Sequence, residues 1–297
     1  MIKVRVPATS ANMGAGFDSL GIALNLYNEF SFREIDEGII FKGFPEEFCN
    51  EDNIVYESMM KCFNKVNYKP RGLEICALKQ DIPVSRGLGS SSSCIVGGLV
   101  GANAILKERF SKDELLQMAA EIEGHPDNVA PALLGNMVVA IMEKDRVYYE
   151  KIKVHNGFKF IPIIPDFRLA TKDAREVLPK EISLQDGIHN VSRASLMIAS
   201  MISGNKGLLK YACSDKFHEN YRSKLIPGFY EVKDEAYRVG ALGSYLSGAG
   251  PTIMVIADEN SSDFCEDIKS FLKVKSLNWG IYELSVDKLG AIVLEGE

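Results

Sequence analysis

The sequence predicts an α+β fold in two units, and three observations carry that reading. Stretches such as residues 3–7 alternate apolar and polar side chains, as half-buried strands do. Stretches such as residues 53–66 carry apolar residues at helical spacing. The two kinds follow one another without the strict alternation of a parallel α/β sheet. At about 150 residues per domain, the chain length suggests two domains. The boundary is expected near residue 155, giving units 1–155 and 156–297.

In the first unit, Val4 and Val6 alternate with charged neighbours. Residues 25–35 and 39–43 are expected to pair as a hairpin around the turn Asp36-Glu37-Gly38. Ile54, Met59, Cys62, Phe63 and Val66 give the helix over 53–66 its apolar face. Leu73, Ile75 and Ala77 alternate before a Gly-rich loop. Residues 90–106 read as a helix of small residues, in which Gly97, Gly98 and Gly101 each cost about 1 kcal/mol against alanine. Tight packing against a neighbouring backbone is the expected reason for keeping them. Ser111 and Glu114 form the capping box of the next helix, with Leu115, Leu116, Met118, Ala119 and Ile122 as its apolar face. Gly124 suits its left-handed stop, with Pro126 just beyond. Residues 136–142 and 147–152 read as a hairpin.

The second unit opens with a strand over 159–165, followed by a long helix over 183–202. Helices are then expected over 229–239 and 263–272, and strands over 244–247, 252–257, 279–284 and 291–294.

A net charge of -6 argues against a general nucleic-acid binder, which carries a basic face. It leaves room for an anionic ligand held by local donors. The six cysteines form no C-x-x-C pair and read as reduced thiols. The start M-I-K-V-R-V-P reads as a strand, and no apolar run is long enough for a membrane span, so a soluble cytoplasmic protein is expected.

Four segments carry chemistry. The strongest runs through Pro83, Val84, Ser85, Arg86, Gly87, Leu88, Gly89, Ser90, Ser91, Ser92 and Ser93. A strand leads in and a helix leads out, so glycine-freed N–H groups and a helix N-terminus can hold phosphate. The hydroxyls can donate to phosphate or ligate Mg²⁺. The segment lacks the G-K-[ST] of a Walker loop, and its plainer reading is a helix-capping Gly/Ser turn. The second segment, residues 7–18, holds Asn12 and Asp18, suited to a small polar substrate or to satisfying their own loop. The third crowds Glu121, Glu123, His125, Asp127 and Asn128 at a helix end. Glu121 and Glu123, two residues apart, cannot share a helix face. The fourth, residues 243–252, is a Gly/Pro bend between strands. Softer candidates are Thr171, Arg175 and Arg222, whose guanidinium groups could clamp a carboxylate.

Together, P-A-T-S-A-N at 7–12, G-L-G-S-S at 87–91 and S-G-A-G-P-T at 247–252 resemble the three motifs of the GHMP kinases. S-A-N-M-G-A-G-F-D, E-G-H-P-D-N-V-A-P and T-K-D-A-R-E-V-L-P resemble the homoserine-phosphorylating branch. The resemblance implies an N-terminal β-α-β domain with a left-handed crossover and a ferredoxin-like C-terminal domain. It implies ATP-dependent transfer to L-homoserine, a step of threonine biosynthesis, with Mg²⁺ and with a homodimer as the family-level state. Residues 83–93 would wrap the ATP phosphates, Ser91 and Glu121 would hold Mg²⁺, and Asn53 would touch adenine. Asn12, Asp18, His125, Asp127, Asn128, Thr171, Arg175 and Arg222 would surround the substrate, with Asp127, Asn128 and Arg175 nearest the reaction. Another kinase of the superfamily, acting on mevalonate, shikimate or a sugar alcohol, and a non-catalytic ligand sensor remain the alternatives.

Overall fold

Side chains that alternate along two long strands decide the first layer. The computed structural model describes residues 1–144 and 146–294. Its elements begin with β1 (Ile2–Ala11), β2 (Leu20–Ile35), β3 (Gly38–Lys42), α1 (Ile54–Asn64) and β4 (Gly72–Gln80). Then come α2 (Ser90–Ile105), α3 (Lys112–Glu123), α4 (Pro126–Leu134), β5 (Met137–Glu143) and β6 (Arg146–Ile152). These strands form one sheet in the order β11-β1-β2-β4-β3, where β11 is Ile292–Leu294, and β5 joins β2 to β6. Val4, Val6, Phe30, Phe32, Leu73 and Ile75 bury one face of this sheet against α1 to α4.

The expected hairpin over Asp36 to Gly38 does not form. β2 pairs antiparallel with β4, and β3 pairs parallel with β4, Ile39 opposite Leu73 and Phe41 opposite Ile75. The turn sequence suits a local hairpin, but a parallel pair needs a long crossover. The connection through α1 supplies it. The close neighbours of the small-residue helix are also visible. A Cβ on Gly101 would lie 2.4 Å from the Phe32 ring, and one on Gly98 would lie 2.3 Å from Val55 O. The neighbours are therefore an aromatic ring as well as a backbone.

The capping box forms as expected. Ser111 Oγ accepts from Glu114 N–H, and the Glu114 carboxylate accepts from Ser111 N–H at 2.8 Å. Gly124 ends α3 at φ 87°. Pro126, expected just beyond that stop, starts a further helix, α4, because proline at the first helical position loses no hydrogen bond.

The second layer holds β7 (Phe158–Ile164), α5 (Thr171–Glu176), α6 (Leu184–Ser203), α7 (Leu209–Ala212), α8 (Glu219–Arg222) and α9 (Phe229–Arg238). It ends with β8 (Gly243–Leu246), β9 (Ile253–Asp258), α10 (Phe264–Val274) and β10 (Gly280–Ile281). A four-stranded antiparallel sheet runs β10-β7-β9-β8. Ile161, Ile163 and Val255 face Phe229, Val232, Phe264 and Ile268 of α9 and α10. Phe160, Met254 and Ile256 face the other way, into a core shared with Met197 and Met201 of α6 and with Leu20, Ile22 and Leu24 of β2. That shared core fixes one sheet against the other. β11 returns the chain to the first sheet, with Val4 opposite Val293. Among the described residues no helix is long and apolar enough to cross a membrane.

Candidate active site

Three of the four motifs meet because backbone bonds join them. Thr9 N–H donates to Leu88 O at 3.1 Å, and Gly248 N–H donates to Ala11 O at 3.1 Å. Ser247 Oγ donates to Gly87 O at 2.5 Å, and Ser10 Oγ lies 2.7 Å from Ser247 Oγ. β1, the glycine loop and the β8–β9 bend thus form one rim. It borders a cavity of about 390 Å³.

At the cavity floor, Gly89 caps α2 at φ 70° with no side-chain cap. The N–H groups of the first helical turn have no intrahelical carbonyl to meet. Ser90, Ser91 and Ser92 line the cavity there, so these donors and the positive end of the helix face a ligand space. A Cβ on Gly89 would lie 1.9 Å from Thr9 Oγ1, which itself donates to Asn128 Oδ1 at 2.7 Å. The glycine is therefore required both by its left-handed backbone and by a close approach.

The expected partner of Ser91 is corrected. Glu121 is ion-paired with Lys61 at 2.7 Å, and it does not line the cavity. Glu123 does line it, accepting from Ser91 Oγ at 3.1 Å and from Ser92 Oγ at 2.8 Å. Two helical residues apart is about 200° of rotation, and the packing of α3 turns Glu123 inward. Leu88 is core, and Ser93 Oγ donates to Ser90 O while accepting from Asn28 Nδ2. Neither lines the cavity, and nor does Pro83, although Ile82 and Val84 on either side do. Val84, Ser85, Arg86 and Gly87 are all on the lining.

Asn53 lines the cavity, yet its amide is already engaged. Its Oδ1 accepts from Val55 N–H at 2.9 Å to cap α1, and its Nδ2 donates to Phe48 O at 2.7 Å. The apolar end of the cavity is built instead from Phe30, Phe44, Phe48, Ile54 and Ile82. No local sequence pattern marks this wall, because β2 and the segments flanking α1 come together only through the crossover.

At the other end sit the residues expected around a small polar substrate. Asn12, Asp18, His125, Asp127, Asn128, Thr171, Arg175 and Arg222 all line the same cavity. Asn12 Nδ2 donates to Gly248 O at 2.9 Å, and its Oδ1 accepts from Asp18 N–H at 3.0 Å. Arg175 donates to both Asp18 oxygens, at 3.2 and 2.9 Å. Arg222, 2% exposed, donates to Ala174 O at 2.9 Å and to Gly248 O at 3.0 Å. Burial, and then the nearby Arg175 charge, lower its pKa to about 10. His125 Nδ1 lies 2.6 Å from Asp127 Oδ1. Burial alone would lower the imidazole pKa, but the Asp127 hydrogen bond and charge, with Glu123, outweigh it and raise the pKa above the ordinary value.

That balance gives an expected result. In Asp127→Asn the Asp127 charge is gone while burial remains, so the His125 pKa falls below its wild-type value. Histidine-selective NMR titration reads it directly. The linkage follows the same sign. A raised folded pKa stabilises the protein below the unfolded histidine pKa, and that contribution is lost as pH rises through the folded one.

Comparison with known proteins identifies the family. The model for the GHMP kinases N terminal domain matches residues 53–136, and that for the GHMP kinases C terminal matches 197–272. A homoserine kinase of Clostridium beijerinckii is 67% identical over 296 residues, covering 100% of this chain and 99% of that protein. One from Clostridium botulinum is 61% identical over 297 residues, covering 100% of both. The crystal structure of homoserine kinase from Cytophaga hutchinsonii superposes with a TM-score of 0.89 at 31% identity, covering 99% of this chain and 97% of that one. The chain belongs to the GHMP kinases, in their homoserine kinase family.

Proposed function

We propose that the protein transfers the γ-phosphoryl group of ATP to the side-chain hydroxyl of L-homoserine, giving O-phospho-L-homoserine. One observation carries the reading. A single cavity joins the N-terminus of a helix at Ser90–Ser92 to a carboxylate and two guanidinium groups at Asp18, Arg175 and Arg222. The first suits a triphosphate, and the second suits an amino acid, which carries one charge of each sign. In the free protein Asp18 and Arg175 neutralise each other. The substrate ammonium takes Asp18 in this reading, while its carboxylate takes Arg175 and the free N–H groups of Arg222.

Ser91 Oγ and the Glu123 carboxylate are hard oxygen donors of the kind Mg²⁺ takes, and they lie 3.1 Å apart beside the helix terminus. When bound, Mg²⁺ neutralises charge on the phosphate oxygens. The first-turn amides of α2 hold the phosphates, and Asn128, fixed by Thr9, borders the space for the acceptor hydroxyl. Phosphoryl transfer needs positioning and charge neutralisation more than a strong base. Asp127, already bonded to His125, orients rather than abstracts in this reading. Asp127→Asn therefore keeps measurable turnover. A loss beyond about 10⁴-fold, the scale of full general-base catalysis, contradicts an orienting role.

The activity is tested by an ADP-coupled assay over a panel of hydroxy amino acids, mevalonate, shikimate and sugar alcohols. L-homoserine is expected to give the highest kcat/KM, and a higher value on any other alcohol rejects the assignment. The proposal extends to a cytoplasmic homodimer. Leu184, Ile188 and Val191, exposed apolar residues on α6, support the dimer, and sedimentation of the purified chain measures it.

A further inference from the structure

We propose that His218, backed by Asn190 and Asp215, is a positioning residue that fixes the loop of residues 12–18 and so sets affinity for the amino-acid acceptor without touching it. The inference rests on the acceptor site described above. The loop carries Asn12 and Asp18, and it is a costly conformation. Asn12 and Asp18 take φ values of 68° and 53°, which their short polar side chains tolerate, but Met13 takes 43°, in the left-handed region that its side chain disfavours. Asn12 holds its two ends through Asp18 N–H and Gly248 O, and the middle of the loop, residues 13–17, is held from outside.

His218 is fully buried, and its Nε2 lies 3.0 Å from Gly14 O. A carbonyl only accepts, so Nε2 carries the proton and donates. Burial lowers the ring's pKa, leaving a neutral imidazole with that single N–H. Among the described residues its Nδ1 has no hydrogen-bond partner. A buried ring with an orphaned nitrogen is a poor way to fill space, because an unmet polar atom costs stability that an apolar side chain would avoid. The hydrogen bond to Gly14 is what an apolar residue could not supply.

The rest of the scaffold points the same way. Asn190 Nδ2 donates to Ala15 O at 3.3 Å and to Asp215 Oδ1 at 2.7 Å. Asp215 Oδ2 accepts from His218 N–H and Glu219 N–H, both at 2.7 Å, which anchors the turn leading into α8. Phe17 stacks on the His218 ring at 5.4 Å. The guanidinium groups of Arg222 and Arg175 sit 5.3 and 5.9 Å from the Phe17 ring centre. Phe17 thus links His218 to both cations beside Asp18. His218, Asn190 and Asp215 do not line the cavity, so their influence on a ligand must pass through the loop. The glycine loop and the start of α2 make none of these bonds.

The test separates the two substrates. His218→Phe keeps an aromatic ring against Phe17 and removes the donor to Gly14 O. It is expected to raise the KM for L-homoserine about fivefold to tenfold, the scale of one hydrogen bond, with the KM for ATP and kcat within about twofold. Asn190→Ala should show the same split, and His218→Gln, which keeps a donor, should recover part of the loss. The proposal is overturned if both KM values rise together, if kcat falls with KM unchanged, or if only thermal stability changes. Should His218→Phe not fold, the Asn190→Ala split decides alone. A wild-type enzyme that fails to phosphorylate homoserine would instead overturn the acceptor-site reading, and this inference with it.

Discussion

Glu123→Gln is expected to lower kcat on L-homoserine by about 10²- to 10³-fold, the scale of removing one aligned electrostatic group from a phosphate or oxyanion site. Glu121→Gln should stay within about threefold of wild type. Glutamine has the size of glutamate and keeps one acceptor for Ser91 or Ser92, so the fold should survive. What is lost is a negative charge beside the helix terminus, where the proposed Mg²⁺ would meet phosphate. Glu121 offers the contrast. Its carboxylate is exposed and paired with Lys61, an arrangement worth about 0–1 kcal/mol of stability. Steady-state kinetics of the two variants over a range of Mg²⁺ concentrations check the pair. Similar losses in both would mean that α3 does not present Glu123 alone to the metal.

The second large effect is expected from Gly89→Ala. A left-handed φ costs a non-glycine residue roughly 1–2 kcal/mol, and here the new Cβ also collides with Thr9 Oγ1 at 1.9 Å. Thr9 must move, and Asn128, which accepts from it, moves too. The first-turn amides of α2 are displaced with the cap. kcat/KM should fall by about 10²-fold or more, since small misplacements in such sites cost on that scale. Gly228→Ala is the control. Gly228 also caps a helix at φ 82°, but its nearest contact would be an ordinary 3.6 Å. It should lose about 1 kcal/mol of stability with kcat/KM nearly unchanged. Thermal denaturation and kinetics on both variants separate strain from collision.

The glycine loop and the helix it opens were legible because their signals are local: glycines where φ is positive and serines at the first turn of a helix. The start and stop of α3 were legible for the same reason, through Ser111, Glu114 and Gly124. The choice between Glu121 and Glu123 was not. The sequence shows that the two point to different faces, but only the packing of α3 decides which face meets α2. The Asp36–Gly38 turn misled because strand pairing is non-local. β4 claims both β2 and β3, and no residue in the turn records that competition. The Phe44 and Phe48 wall, and the bonds from His218 and Asn190 to the loop 12–18, join segments far apart in the chain. Their individual residues look like ordinary core.

The most direct measurement is a crystal structure with a non-hydrolysable ATP analogue, Mg²⁺ and L-homoserine. The triphosphate is expected against the amides of Ser90, Ser91 and Ser92, with the metal between it and the oxygens of Ser91 and Glu123. The base should lie toward Phe44 and Phe48. A nucleotide bound elsewhere, with that helix terminus facing only solvent, would contradict the account.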